Sequence, residues 1–229
     1  MSQRPQTKSA KKRPPTKPPK NSLVAERRDR WPFILAALIV VLIGGLYLLY
    51  RATNQADGSA GTTAKSDYQV GSPGRGKQAP AFTLPATKGG TVSLDQYRGK
   101  TVLLYFHEGL GCQPCWDQIR DLDKAKTDLK TAGIDDVVAI TTGPVDLIKQ
   151  KVTDEHLTSV NLADADLAVS RSYEANKYGM MGNDRDGHTF ILVGPDGKIG
   201  WRADYGGAPK YTMFVPVQRL LADLKAGQQ

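Results

Sequence analysis

Cysteine is scarce in this chain: 229 residues carry two, Cys112 and Cys115. Two thiols cannot build the disulfide framework by which small secreted domains hold together. A bridge between positions three apart closes so short a loop that it restricts the unfolded chain little. The pair is therefore read as chemistry and not as a staple. Acid is scarce at one end. Residues 1–30 carry ten basic residues against Glu26 and Asp29, which accounts for the whole formal charge of +8 and leaves the rest of the chain neutral. The basic character belongs to a tail and not to a folded surface. That tail has no aromatic residue on which a base could stack, so no nucleic-acid partner is expected. There is no internal repeat.

What is present falls into four parts. Residues 1–30 are rich in Pro and Lys and poor in apolar side chains, so they cannot bury enough surface to offset the entropy of ordering; a disordered, cytoplasmic basic tail is expected. Residues 31–50, "WPFILAALIVVLIGGLYLLY", contain no charge. At about 1.5 Å rise per residue they match a bilayer core of about 30 Å, with Trp31, Tyr47 and Tyr50 at the interfaces. The apolar run is longer than a signal-peptide core and no small-residue cleavage site follows it, so a retained transmembrane anchor is expected. The basic residues ahead of it place the N-terminus inside and everything after residue 50 outside the cell membrane. The tail can also touch anionic lipid headgroups. Residues 51–78 are rich in Gly, Ser, Thr and Ala without apolar periodicity and read as a flexible linker.

Residues 79–229 read as the folded domain. "TVLLYF" (101–106) and "DVVAITT" (136–142) are buried-strand signals, and "SVNLADAD" (159–166) is a weaker one. Helical patterns occupy the run from Trp116 to Leu129, residues 144–157 behind Pro144, and residues 167–175. "HTFILVGPDGKIGWRADY" (188–205) is a hairpin turning at Pro195-Asp196-Gly197, and residues 215–227 close as a helix with Gly227 as its stop. The order predicts an α/β fold: a central mixed sheet, parallel first and antiparallel at its late edge, flanked by helices on both faces.

Cys112 and Cys115 lie where the first strand hands over to a helix. A thiol at a helix N-terminus meets unsatisfied amides and the positive end of the dipole, which favours the reactive thiolate. The two-residue gap lets the second sulfur turn back on the first and release a mixed disulfide, and Pro114 pre-sets the first helical turn. Cys112 is the more exposed position and is expected to attack, with Cys115 resolving. Around them, Glu108 is a candidate proton acceptor. Trp116 is either a cap on the site or the start of the core stripe. Met180 and Met181 line a docking groove or pack beneath it.

The strand, CxxC and helix, followed by "HTFILVGPDGKI" and a terminal helix, resemble a thioredoxin fold. The lead-in "QAPAFTLPATKGGTVSLDQYRGKTVLLYF" and "LADADLAVSRSYEA" are similar to the AhpC/TSA, peroxiredoxin-like branch of that superfamily, over residues 79–226. Two departures stand out. Aligned on the family's Pro-x-x-x-Thr-x-x-Cys signature, Cys115 takes the peroxidatic position while Cys112 replaces the Thr and Glu108 the Pro; Arg185 is out of register for the family's peroxide-clamping Arg. Thioredoxin-type exchangers carry a cis-proline facing the CxxC, where this chain has Gly187 followed by His188, which implies a looser docking strand and a histidine beside the sulfurs. With the anchor, the resemblance extends to membrane-tethered thiol-disulfide oxidoreductases. The leading expectation is such an enzyme, acting outside the membrane on protein thiols and disulfides with a membrane-bound redox partner and no cofactor. One alternative is an AhpC/TSA-type thiol peroxidase. Another is a metal-delivery module similar to the Sco type, with His107, Cys112, Cys115 and His188 as ligands.

Overall fold

The computed structural model describes Ile34, residues 38–46 and residues 67–229. Ile34 and residues 38–46 are helical. Among the described residues no helix is long and apolar enough to cross a membrane. Half of the expected span, like the basic tail and residues 51–66 of the linker, lies outside the described residues, so a membrane anchor is not part of the described structure.

The folded domain is built on a five-stranded sheet in the order β5-β4-β3-β6-β7. Strands β3 (Val102–His107), β4 (Asp136–Thr141) and β5 (Val160–Ala163) run parallel. Strands β6 (Thr189–Val193) and β7 (Ile199–Asp204) add to the other side of β3 antiparallel. A small hairpin of β1 (Thr83–Pro85) and β2 (Thr91–Ser93) precedes them and went unnoticed in the sequence, because three residues carry no periodicity. The helices are α1 (Gln113–Lys124), α2 (Lys126–Thr131), α3 (Val145–Asp154), α4 (Ala168–Ser172) and α5 (Val217–Gln228).

Alternation along the strands divides the core into two layers. Leu103, Tyr105, Phe190, Leu192 and Trp201 meet Trp116, Ile119 and Leu122 of α1, Ile148 of α3, and Leu220 and Leu224 of α5. Leu104, Phe106, Ile140 and Ile191 meet Val169, Tyr173 and the hairpin residues Phe82 and Leu84 on the opposite face. Because β3 is central and buried on both faces, it reads as an unbroken apolar run. The expected helix from Trp116 to Leu129 breaks at Ala125, yet Leu129 stays in the same core through α2. Gly227 does not stop α5. It lies within the helix, where a Cβ would fall 2.4 Å from Trp201 Cδ1, so it is the small residue that lets the helix end close on the sheet.

Residues 67–78, expected within the linker, are fastened to the domain. Gln69 pairs with Asp204 and Gln78 with Lys198, and Ile199 donates its N–H to Lys77 O. The fastening rests on a fully buried ion pair. Asp204 accepts from Arg202 Nε at 2.8 Å, Thr189 Oγ1 at 2.8 Å and Gly71 N at 2.6 Å, while Arg202 Nη1 donates to Tyr173 O and Pro73 O. Both charges are satisfied on every side, and removing one leaves the other uncompensated. Asp204→Ala should therefore cost about 3–5 kcal/mol in urea unfolding and open residues 67–78 to protease, whereas replacing both members by apolar residues should be milder than either single change.

Candidate active site

The site grows from the end of β3. His107 closes the strand, residues 108–112 form a tight loop, and the last of them, Cys112, is the N-cap of α1, with Pro114 in the first turn. Several bonds hold the loop. Trp116 Nε1 donates to Gly109 O at 3.0 Å, Cys112 N to Gly109 O at 3.1 Å, and Thr141 Oγ1 to His107 O at 2.7 Å. Gly109 has φ +88°, and a Cβ there would lie 2.9 Å from Thr141 Oγ1, so the turn needs glycine twice over. Trp116 is thus both core and clamp: its ring is fully buried while its N–H fixes the loop.

Cys112 and Cys115 are joined in a disulfide and pack with Met213. Cys112 keeps 6% of its surface exposed and Cys115 none, as their positions before and inside the helix imply. Of the two, only Cys112 retains any exposed surface. Among the described residues no group of three or more His, Cys, Asp or Glu is placed to hold a metal ion. Both sulfurs are also bonded to one another, so the copper-delivery set of His107, Cys112, Cys115 and His188 is not assembled.

Glu108 is buried, and one of its carboxylate oxygens is already engaged by the backbone. Its Oε1 accepts the backbone N–H groups of Met180 and Met181, fixing the loop that carries these two exposed side chains. The chain is not loose at Gly187. Gly187 N donates to Ala175 O at 3.0 Å and His188 N to Tyr178 O at 2.8 Å. A Cβ on Gly187 would fall 2.0 Å from Tyr178 O. The expectation of a slack docking strand is corrected: glycine is there because another stretch of backbone lies against it. His188 itself is fully buried, with Nδ1 2.9 Å from Tyr105 Oη and its ring against Phe190 and Tyr205. His107 stacks on Tyr105 and meets Trp116 edge-on. Burial lowers both imidazoles to about 3, so both are neutral near pH 7.

A buried acid cluster behind the loop escaped the sequence reading. Asp164 N donates to Thr141 O, and the Asp164 carboxylate accepts Val169 N, Ser170 N and Ser170 Oγ. Ser170 Oγ also lies within hydrogen-bond reach of Asp186 Oδ1. One hydroxyl hydrogen cannot serve two carboxylates. One of the two carboxyls then holds a proton, and burial with the nearby Asp164 charge, which raise the pKa of Asp186, favour placing it on Asp186, where it can donate to Ser170 Oγ. "LADADLAVSRS" gave no sign of this, because only folding brings Asp186 across from Ser170.

With this geometry in view, the comparisons decide the family. The AhpC/TSA family model matches residues 75–202, more than half of the chain. The chain belongs to the AhpC/TSA family. It is 34% identical over 128 residues to a putative peroxiredoxin of Mycobacterium tuberculosis, covering 54% of this chain and 80% of that protein. It is 32% identical over 127 residues to the peroxiredoxin Bcp of Escherichia coli, covering 54% and 81%. Among solved structures, peroxidoxin BcpB from Mycobacterium tuberculosis superposes with a TM-score of 0.55 at 19% identity, over 67% of this chain and 97% of that one. A putative thiol:disulfide interchange protein DsbE from Chlorobium tepidum superposes with 0.50 at 22% identity, over 68% and 99%. These two likenesses establish the thioredoxin-like fold, while the sequence relatives establish the peroxiredoxin branch.

The buried groups give the domain a pH signature with opposite signs. His107 and His188 titrate near 6.5 when unfolded and near 3 when folded. Between those values the unfolded chain binds more protons, so each histidine withdraws stability as pH falls through that window, by up to about 1.4 kcal/mol per pH unit. Asp186 keeps its proton in the folded state above its ordinary 3.8, so its contribution falls as pH rises past about 4. Asp186→Asn keeps a neutral donor toward Ser170. Its urea midpoint should exceed that of the wild type at pH 8 and approach it at pH 4; a lower midpoint at pH 8 would show that Asp186 is ionised.

Proposed function

We propose that the domain is a thiol peroxidase of the Bcp-like kind that uses Cys112 and Cys115 as its redox pair. The observation that carries the reading is the placement of the pair: Cys112 at the N-terminus of α1, holding what little exposure the pair has, bonded to a fully buried Cys115. The family relationship to peroxiredoxins supports it. So does the covering of Gly187 and His188 by Tyr178, because a protein substrate docking there as an extended strand would meet backbone already bonded to backbone. A small hydroperoxide needs no such edge. Exchange on protein thiols, the leading expectation from the sequence, therefore gives way to its alternative.

In this reading the Cys112 thiolate, favoured by the helix N-terminus, attacks the terminal oxygen of the hydroperoxide. An S–O bond forms and the O–O bond breaks. The departing alkoxide takes a proton and leaves as alcohol, or as water when the substrate is hydrogen peroxide, and Cys112 becomes a sulfenic acid. The Cys115 thiolate attacks Cys112 Sγ, the S–S bond forms, and the sulfenic oxygen leaves with a proton as water. An external dithiol returns two electrons by exchange. The family register assigns the first attack to Cys115; burial favours Cys112. Cys115→Ser should still reduce one equivalent of peroxide and leave a sulfenic acid on Cys112 that a dimedone-type reagent captures, whereas Cys112→Ser should do neither. Capture on Cys115 in the Cys112→Ser protein would invert the assignment. Absence of peroxide turnover in the wild type with a thioredoxin-type donor would remove the function.

The location of the domain rests on residues 1–50 as sequence. We place it outside a cell membrane, tethered by residues 31–50. Protease added to intact cells should then release a soluble fragment beginning between residue 51 and about residue 67, because the chain from Asp67 onward is bonded into the domain. Protection until lysis would contradict that placement.

A further inference from the structure

We propose that the segment Tyr178–Met181 is a built-in stand-in for a peptide substrate, and that Glu108 is the latch that holds it in place and so determines specificity. Tyr178 O takes the His188 N–H at 2.8 Å, and Ala175 O takes the Gly187 N–H at 3.0 Å. The carbonyl of His188 is likewise filled, by the N–H groups of Tyr205 and Gly206. The same Tyr178 carbonyl also lies over Gly206, where a Cβ would come within 2.1 Å of it. The amides that an incoming strand would use ahead of β6 are thus occupied by the protein's own chain.

Two holds keep the segment there. Glu108, 1% exposed and three residues beyond the middle of β3, turns its carboxylate onto the N–H groups of Met180 and Met181. Charged acceptors make the stronger hydrogen bonds, and burial adds to their strength. Gly179 permits this approach, since a Cβ there would lie 2.7 Å from Glu108 Oε1. On the far side the Arg202 guanidinium lies 5.6 Å from the Tyr178 ring. Glu108 stands on the same loop as Cys112, so the latch and the redox pair share one short piece of chain. Neither hold touches the sulfurs. Glu108 is a positioning residue that selects for small substrates by keeping proteins out.

The inference builds on the peroxidase reading for its meaning, but its test uses no peroxide, so the two can fail separately. The reaction to measure is reduction of the insulin disulfides by dithiothreitol with the domain as mediator: the Cys112–Cys115 dithiol passes two electrons and two protons to an insulin disulfide, becomes the disulfide, and is reset by dithiothreitol. Amide hydrogen exchange at His188, Met180 and Met181 reports the latch directly. In Glu108→Ala, exchange at these amides should speed at least tenfold and insulin reduction should rise at least fivefold over wild type, while Glu108→Gln, which keeps an acceptor oxygen, should lie nearer the wild type in both. Tyr178→Ala loosens the other hold and should move both readouts in the same direction, which keeps the test decisive if Glu108→Ala does not fold. Faster exchange with unchanged insulin reduction would overturn the role in specificity. Unchanged exchange in both variants would overturn the latch.

Discussion

Everything at the site depends on one short turn, the five residues between the end of β3 and the start of α1. The turn has to bring a buried strand to the surface and present a sulfur at a helix N-terminus without leaving buried amides unpaired. Trp116 reaches back to Gly109, Thr141 reaches across from β4 to His107, and Glu108 fastens the turn to the loop beyond α4. The bonds come from three directions, so the position of Cys112 is over-determined. That rigidity lets the chemistry rely on the helix N-terminus, whose effect on a thiolate fades within a turn.

The surroundings of the turn are unusual in their charge. Two histidines lie under it in neutral form, and Glu108, Asp164 and Asp186 are buried around it. Each acid is accommodated in its own way: Glu108 by amides, Asp164 by amides and a hydroxyl, and Asp186 by keeping its proton. Buried polar groups are tolerated when their bonds are complete. The exceptions among the described residues include His107 Nε2, His188 Nε2 and Asp186 Oδ2, all close to the same turn. Thr87 Oγ1, Gln118 Nε2 and Asn161 Oδ1 are also without a partner, so unpartnered polar atoms are spread through the domain as well as near the turn.

Much of this was legible in the sequence, for physical reasons. β3, β4 and the β6–β7 hairpin announced themselves because central strands need continuous apolar runs and hairpins need turn residues. Cys112 and Cys115 were legible because few environments other than a helix start suit a CxxC pair with an intervening proline. The departures are instructive. Glu108 looked like a loop carboxylate near thiols, and nothing local says that two amides seventy residues on will claim it. Gly187 looked like slack where a proline is usual, but its meaning is set by the Tyr178 carbonyl packed against it. Residues 67–78 looked like linker because their fastening is backbone pairing to the β7 edge, which leaves no pattern in side chains. For Glu108 and for residues 67–78 the deciding partner is distant in sequence, and for Gly187 it is a carbonyl brought back by the preceding loop.

The central claim is that the paired sulfurs serve a small peroxide before a protein disulfide, and Trp116 offers a direct view of it. Its ring follows Cys115 in the chain and is fully buried, so its emission should change when the pair closes. The reduced domain should be mixed in a stopped-flow instrument with hydrogen peroxide or an alkyl hydroperoxide, and separately with an insulin disulfide, at equal concentrations. The account predicts that peroxide closes the Cys112–Cys115 bond faster than insulin does, and faster than peroxide consumes an equal concentration of free dithiothreitol at the same pH. Faster closure by insulin, with peroxide no quicker than on the free dithiol, would contradict it.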